Sequence, residues 1–239
     1  IIMNNNYPFV SIIVPIYNEE KYINLCLSSL KKLNFPLDKY EIIAVDNGSN
    51  DNSALIAHEY TDNVLYLPEG NVGAVRNYGA KFSKGDFFVF LDADCIVEPD
   101  WLSNGVNKLC NRQNTVFGGC YKLRNTPNWI EKYWLLQNKY NNIFYQKDLV
   151  GGCIFIKKND FLNIGMFNEF ITSGEDSDLS QRLRKSNYDI IIEKNLCVTH
   201  LGNPSTIIQF IKRQIWHSEN YFKQFLISLN DLTFWLIIF

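Results

Sequence analysis

The sequence predicts an α/β fold, a mostly parallel sheet doubly wound with helices. Two observations predict it. Short runs rich in Val, Ile and Phe alternate with stretches of helical spacing through the first half, and three of those runs end in polar clusters. Strands alternating with helices imply crossover connections and parallel pairing. In such sheets ligands gather at the carboxyl ends of the strands.

The elements follow in order. "FVSIIVPIY" (9–17) reads as a buried strand. Asn18 can cap a helix whose first turn carries Glu19 and Glu20, favourable at the positive end of the dipole. Ile23, Cys26, Leu27, Leu30 and Leu33 then keep helical spacing. "YEIIAVD" (40–46) is a second strand, followed by the turn-rich "NGSNDNS" and a helix near 52–60. "NVLYL" (63–67) is a third strand, with a helix near 72–82, and "DFFVFLDAD" (86–94) is a fourth. The second half is less regular: strands at 115–123 and 150–156, helices at 128–140 and 175–186, short strands near 189–199, and a long helix from about Ser205.

Bulk properties narrow the class. At 239 residues the chain can bury a sizeable core, and 46% hydrophobic with 20% charged residues describes a globular protein. A net charge of −2 argues against a nucleic-acid partner. The 17 Phe, 13 Tyr and 5 Trp suit a large core or a surface that stacks sugars or touches membrane. None of the six cysteines sits in C-x-x-C spacing, so buried free thiols in a reducing compartment are expected, without a disulfide framework. The terminal "LTFWLIIF" is apolar but too short to span a bilayer, and reads as the start of a membrane-associated element of a longer protein.

The chemistry-bearing residues cluster at strand ends. Pro15-Ile16-Tyr17-Asn18-Glu19 follows the first strand, Asp46-Asn47-Gly48-Ser49 the second, and Asp92-Ala93-Asp94 the fourth. If extended geometry persists to the strand's end, Asp92 and Asp94 face one side together. Two charges about 4 Å apart repel by roughly 4 kcal/mol at an effective dielectric of ~20. Water, cations or a bound metal must offset that. Arg76, near a helix N-terminus with Gly73, Asn77 and Gly79, would suit a phosphate or a polar ring. Each cluster alone has a plain structural account: a solvated turn, a turn signal, a surface charge. Their joint placement along one sheet edge does not. An EF-hand fails because Gly48 and Ile96 hold positions that need acceptors, and a dinucleotide loop fails because "PIYNEE" replaces the glycine-rich turn. In the second half, Glu175, Asp176 and Asp178 gather at a helix start, where helix capping is the plain alternative, and His200 ends an apolar strand.

The order "SIIVPIYNEEKYI", "VDNGSNDNS", "NVGAVRNYGA", "GDFFVFLDAD", "GGC", "GEDSDLSQRL" resembles the family 2 glycosyltransferases of the GT-A fold, from about residue 9 to 200. The resemblance implies a catalytic domain over 1–204, with a nucleotide-binding half (9–94) and an acceptor and catalytic half (95–204), and a helical segment over 205–239. It implies that Pro15, Tyr17 and Glu19 contact the base and ribose of a nucleoside-diphosphate sugar, that Asp46 accepts from the base ring, and that Arg76 lies beside the nucleotide. Asp92, Ala93 and Asp94 match the D-x-D element that holds Mg²⁺ or Mn²⁺ on the pyrophosphate, with His200 as a further metal or diphosphate contact. Gly151 and Gly152 match a glycine pair lining the sugar pocket, and Asp176 matches the catalytic base of an inverting transfer.

Two departures qualify the match. Asp46-Asn47 replaces a pair of acids after the second strand, which loosens base preference; the uridine donors common in the family remain the expectation. The Q-x-x-R-W box of processive synthases is absent in that form from "QFIKRQIW", which implies single addition. The resemblance therefore implies a UDP-sugar donor, a glycan or lipid-linked acceptor, cell-surface polysaccharide synthesis, and a cytoplasmic place at the inner face of the membrane. The segment after Ser205 is read as a buried helix or as an amphipathic face on that membrane. A sugar-1-phosphate nucleotidyltransferase is the alternative enzyme, and it lacks its phosphate loop here. A non-catalytic nucleotide-sugar binder is the other alternative, and the retained acids count against it.

Overall fold

The computed structural model describes residues 7–134 and 148–223. Four strands follow the expected order: β1 (Val10–Ile16), β2 (Tyr40–Asp46), β3 (Val64–Tyr66) and β4 (Phe87–Leu91). They alternate with helices α1 (Ile23–Leu30), α2 (Ser53–His58) and α3 (Val72–Phe82). Next come the two-residue strand β5 (Cys95–Ile96), helix α4 (Trp101–Cys110), and strands β6 (Thr115–Gly118) and β7 (Tyr121–Lys122). Helix α5 (Trp129–Trp134), strand β8 (Cys153–Lys157), and helices α6 (Lys158–Asn163) and α7 (Glu175–Lys185) follow. Strands β9 (Asp189–Ile192) and β10 (Val198–His200) precede helix α8 (Ile207–Lys223). Of the predicted 128–140 helix, and of 205–239, residues 135–140 and 224–239 lie outside the described residues.

The main sheet runs β3-β2-β1-β4-β8-β6-β9, with β8 antiparallel to both its neighbours and the other pairings parallel. A three-stranded sheet, β5-β10-β7, sits beside it. The period-2 alternation of strands sorts side chains into two cores. On β1, Ile12 and Val14 join one cluster with Leu27, Trp101 and Phe155, while Ile13 joins Phe88, Phe90 and Phe161 on the opposite side, and Ile43, Val45 and Val75 form a third, smaller cluster. The sheet is therefore covered on both faces, as parallel sheets require.

Several boundaries depart from expectation, each for a local reason. Helix α1 begins at Ile23, not after Asn18: Asn18 takes a left-handed conformation (φ 55°), and its side-chain oxygen accepts from the Asn50 amide instead. The 86–94 strand stops at Leu91, because Asp92 leaves the ladder for side-chain partners and a turn follows. The 115–123 strand splits at Gly119, where a Cβ would lie 2.2 Å from the Leu196 carbonyl oxygen, so the chain must pass close to a neighbouring backbone there. Helices α4 and α6 were not anticipated. The spacing of Trp101, Leu102, Gly105, Val106 and Leu109, all buried, was available for α4.

The cysteines correct the sequence reading. Cys120 and Cys197 form a disulfide, whereas Cys26, Cys95 and Cys153 are buried free thiols and Cys110 is exposed. The pairing follows from the parallel register Val198↔Tyr121, which sets the two preceding residues side by side. A bridge between neighbouring strands is a tertiary accident that spacing along the chain does not reveal, and it sits at odds with the reducing compartment inferred from spacing.

Gly105 on α4 lies against the fully buried Phe155 ring, which is itself wedged edge-on against Trp101 at 4.8 Å. A Cβ there would stand 2.2 Å from a ring carbon that has nowhere to go. Overpacking costs about 1–3 kcal/mol, set against a helix-propensity gain of about 1 kcal/mol for Gly→Ala. Gly105→Ala is expected to lower stability on balance, seen as a reduced urea midpoint at unchanged m-value.

Candidate active site

The first two strand ends are laced together. Asp46, at the end of β2 beside Ile16 of β1, is 4% exposed and accepts from the Ser49 amide through both oxygens at 3.3 Å. Asn47 donates from its side chain to the Leu67 carbonyl at 2.7 Å, and Gly48 takes φ 75° to close the turn. Across the gap, the Asn18 amide donates to Ser49 Oγ at 3.0 Å, and the Glu19 amide to Ser53 Oγ at 2.7 Å. Pro15 is partly buried on β1, while Tyr17 stands 58% exposed at the rim. The Glu19 carboxyl is pushed up to about 8 by burial and by the neighbouring charges of Asp94 and Asp92.

Helix α3 brings Arg76 to this edge. Asn71 caps it, accepting from the Ala74 amide at 2.9 Å. Gly79 lets the helix lie close on the sheet, since a Cβ would meet Ile13 Cγ2 at 2.6 Å and Val45 Cγ2 at 3.0 Å. Arg76 is thus 3% exposed, with Nη2 2.6 Å from Asp92 Oδ1 and Nη1 2.5 Å from Glu175 Oε1. Asp92 Oδ2 also accepts from Tyr121 Oη at 2.9 Å. Burial pushes the Asp92 carboxyl up, but Arg76, His200 and Tyr121 outweigh it and hold it below the usual range. Of the two acids in the D-x-D turn, Asp92 therefore has a cation beside it within the protein, shared with Glu175.

Asp94 has different company. It is 7% exposed, with Oδ2 3.3 Å from His200 Nε2 across the β5–β10 pair. Cys95 Sγ lies 3.7 Å from Asp94 Oδ1. Among the described residues, donor atoms of Asp94, Cys95 and His200 all lie within 4.8 Å of one another. Gly202 packs against the carboxylate, where a Cβ would stand 1.9 Å from Asp94 Oδ2, and His200 Nδ1 is buried with no hydrogen-bond partner. A carboxylate and an imidazole converging on one point fit a divalent cation of the Mn²⁺ type.

The third part is the start of α7. Gly174 takes φ 78° and turns the chain into the helix, setting Glu175 and Asp176 in its first turn. The Gly151 amide donates to Asp176 Oδ2 at 3.0 Å, and the Ser177 amide to Oδ1 at 2.8 Å. The Asp176 carboxyl is pushed up to about 7, by burial first and by the Glu175 charge second, against the pull of Arg76 and the two amides. Gly151 and Gly152 are close-approach glycines. A Cβ would stand 2.5 Å from Arg76 Nη2 at the first, and 2.5 Å from Asp92 Oδ2 at the second. Asp178, grouped with these acids in the sequence, pairs instead with Arg182 one helical turn on.

Arg76, Asp92, Asp94, Gly151, Gly152, Asp176 and His200 thus converge, and Glu19 joins them through the field of the two aspartates. Asp46, Pro15 and Tyr17 belong to the adjoining rim formed by the first two strand ends. Sequence reasoning missed the parts played by Glu175, Tyr121 and Gly202. Glu175 is grouped with Asp176 and Asp178 in the sequence, but its partner Arg76 is 99 positions away. Tyr121 carried no signal, and Gly202 only its nearness to His200.

Comparison with known proteins agrees with this architecture. A family model described as glycosyl transferase family 2 matches residues 11–161. The glycosyltransferase AglE of Haloferax volcanii is 27% identical over 98% of this chain and 77% of its own length. An uncharacterized glycosyltransferase of Rickettsia felis is 32% identical over 74% of this chain, but the match spans only 31% of that protein. Among solved structures, the mannosyltransferase PcManGT of Pyrobaculum calidifontis, in complex with GDP-Man and Mn²⁺, superposes with a TM-score of 0.73 at 19% identity, over 95% of this chain and 66% of that one. TarS of S. aureus, residues 1–349 in complex with UDP-GlcNAc, gives 0.62 at 21% identity, over 87% and 65%. With its GT-A architecture and a family match running from the first strand to the helix after β8, this chain belongs to glycosyl transferase family 2.

Proposed function

We propose that this chain is a metal-dependent, inverting glycosyltransferase that moves a sugar from a nucleoside-diphosphate donor, a UDP-sugar first, to a glycan or lipid-linked acceptor in cell-surface polysaccharide synthesis. One observation carries the reading: a carboxylate held by two amides and poised near neutrality, Asp176, sits one buried ion-pair relay away from the D-x-D turn. Asp176 takes the proton from an acceptor hydroxyl. The acceptor oxygen then attacks the anomeric carbon from the side opposite the diphosphate, whose bond to that carbon breaks with the electron pair leaving on the nucleoside diphosphate. Attack from the opposite face inverts the anomeric configuration. Asp94 and His200, with Asp92 nearby, would hold a divalent cation, Mg²⁺ or Mn²⁺, which supplies charge neutralisation for the diphosphate.

Asp46 and the rim of Pro15, Tyr17 and Glu19 would take the base and ribose, with Asp46 already oriented by Ser49. The donors named for the structural neighbours, GDP-Man and UDP-GlcNAc, support the donor class and leave both bases as ones to test. Relatives such as the minor teichoic acid protein GgaB of Bacillus subtilis, 27% identical over 94% of this chain and 26% of its own length, support a cell-surface product. Among the described residues no helix is long and apolar enough to cross a membrane. The exposed Ile207, Ile208, Ile211 and Ile215 on α8, flanked by Lys212, support a peripheral contact with the inner face of the membrane.

Titration calorimetry with UDP-, GDP- and dTDP-sugars, with Mn²⁺ and then with EDTA, tests the donor and the metal together. Metal-dependent binding of one donor is expected, and Asp94→Ala should abolish it; EDTA-insensitive binding, or none in a folded protein, would sink the reading. Asp176→Asn should keep donor affinity and lose 10²–10⁴-fold in transfer rate. Because the base works only when ionised and its carboxyl stands at about 7, kcat/KM should rise with pH through that value and level off above it.

A further inference from the structure

Arg76, placed beside the nucleotide by the family resemblance, has its two terminal nitrogens committed elsewhere. Nη2 is held by Asp92 and Nη1 by Glu175. The guanidinium also lies over the Phe167 ring, 5.5 Å from its centroid, and Gly151 closes on it so tightly that a Cβ would stand 2.5 Å from Nη2. Its Nε is buried without a partner, so the group is placed for its two carboxylates at the expense of full hydrogen bonding. Glu175 is 5% exposed and is the residue immediately before Asp176. Asp92, Arg76 and Glu175 thus form one chain of alternating charge, buried at Arg76 and Glu175 and partly exposed at Asp92. It runs from the D-x-D turn to the base, and the same Gly151 that walls in Arg76 donates its amide to Asp176.

We propose that Arg76 and Glu175 are positioning residues, which fix the place and the charge environment of Asp176 from inside the protein and make no contact with the donor. This rests on the reading of Asp176 as the base. Glu175 supplies the negative charge beside the base, and Arg76 pins Glu175 so that the charge cannot swing away. The groups that face Asp176 are Glu175 on its own helix, Arg76 from α3, the Tyr121 hydroxyl from β7, and the Gly151 and Ser177 amides. Of these, only Glu175 is an acid, so it is the group whose removal makes the base weaker. In Glu175→Gln the amide oxygen can still accept from Arg76, so the fold is kept while the charge is lost.

The test is the pH profile of Glu175→Gln, with Asp176→Asn beside it and donor binding followed by calorimetry on each. The acid limb of kcat/KM for Glu175→Gln should move down by about one pH unit, and the plateau kcat should fall about tenfold, with the donor dissociation constant within about twofold of wild type. A purely structural tether would not move the limb. Arg76→Lys keeps the buried positive charge but cannot span both carboxylates; it should lower kcat at least about tenfold with donor affinity held. An inactive Asp176→Asn together with an unmoved acid limb in Glu175→Gln would overturn this inference and leave the base assignment standing. Asp176→Asn that transfers at the wild-type rate would instead overturn the base assignment itself. Loss of donor affinity in Arg76→Lys would make Arg76 a donor contact, and overturn the inference too.

Discussion

The Arg76 guanidinium, buried at 3% exposure between Asp92 and Glu175, is the constraint on which the rest of the site depends. A buried cation is costly unless it is paired, and removing one partner of such a pair costs about 3–5 kcal/mol because it strands the other charge. That penalty acts on three elements at once. It draws Asp92 out of the β4 ladder, holds the start of α7 against the sheet edge, and requires glycine at 151 and 152, where any side chain would collide with Arg76 or Asp92. The fold spends a helix capped by Asn71 and a close-packing glycine at 79 to deliver that one side chain.

The two halves of the site then divide the charge. Asp92 shares the Arg76 guanidinium with Glu175, while Asp94 faces His200, whose second ring nitrogen is unpaired. The Arg76 charge beside Asp92 offsets part of the repulsion expected between two carboxylates one residue apart. The small β5-β10-β7 sheet sets this geometry. It joins His200 to Cys95 in antiparallel register and carries Tyr121 to Asp92, and the Cys120–Cys197 disulfide clamps its β7 and β10 strands just ahead of both.

Much of this was legible in the sequence. The first four strands, the three helices between them and the edge on which the polar clusters fall were set by local pattern. An apolar run of period 2 or spacing of period 3.6 states its own element and buried face, and βα alternation leaves few ways to wind the sheet. The less regular second half was harder, since β8 runs antiparallel and β5, β7 and β10 are two or three residues long, too short for periodicity to register.

By itself, the sequence determined the alternation of strands and helices in the first half and the carboxylates at the strand ends, because those depend on near neighbours along the chain. Only the tertiary structure decided which charges meet. Arg76 and Glu175 are 99 residues apart, Tyr121 and Asp92 are 29 apart, and Cys120 and Cys197 are 77 apart. Pairings at such separations are fixed by the register of strands and the seating of helices, which pattern along a chain does not encode. That is why the sequence shows only two acids facing one side together, whereas the folded chain sets Asp92 against Arg76 and Asp94 against His200.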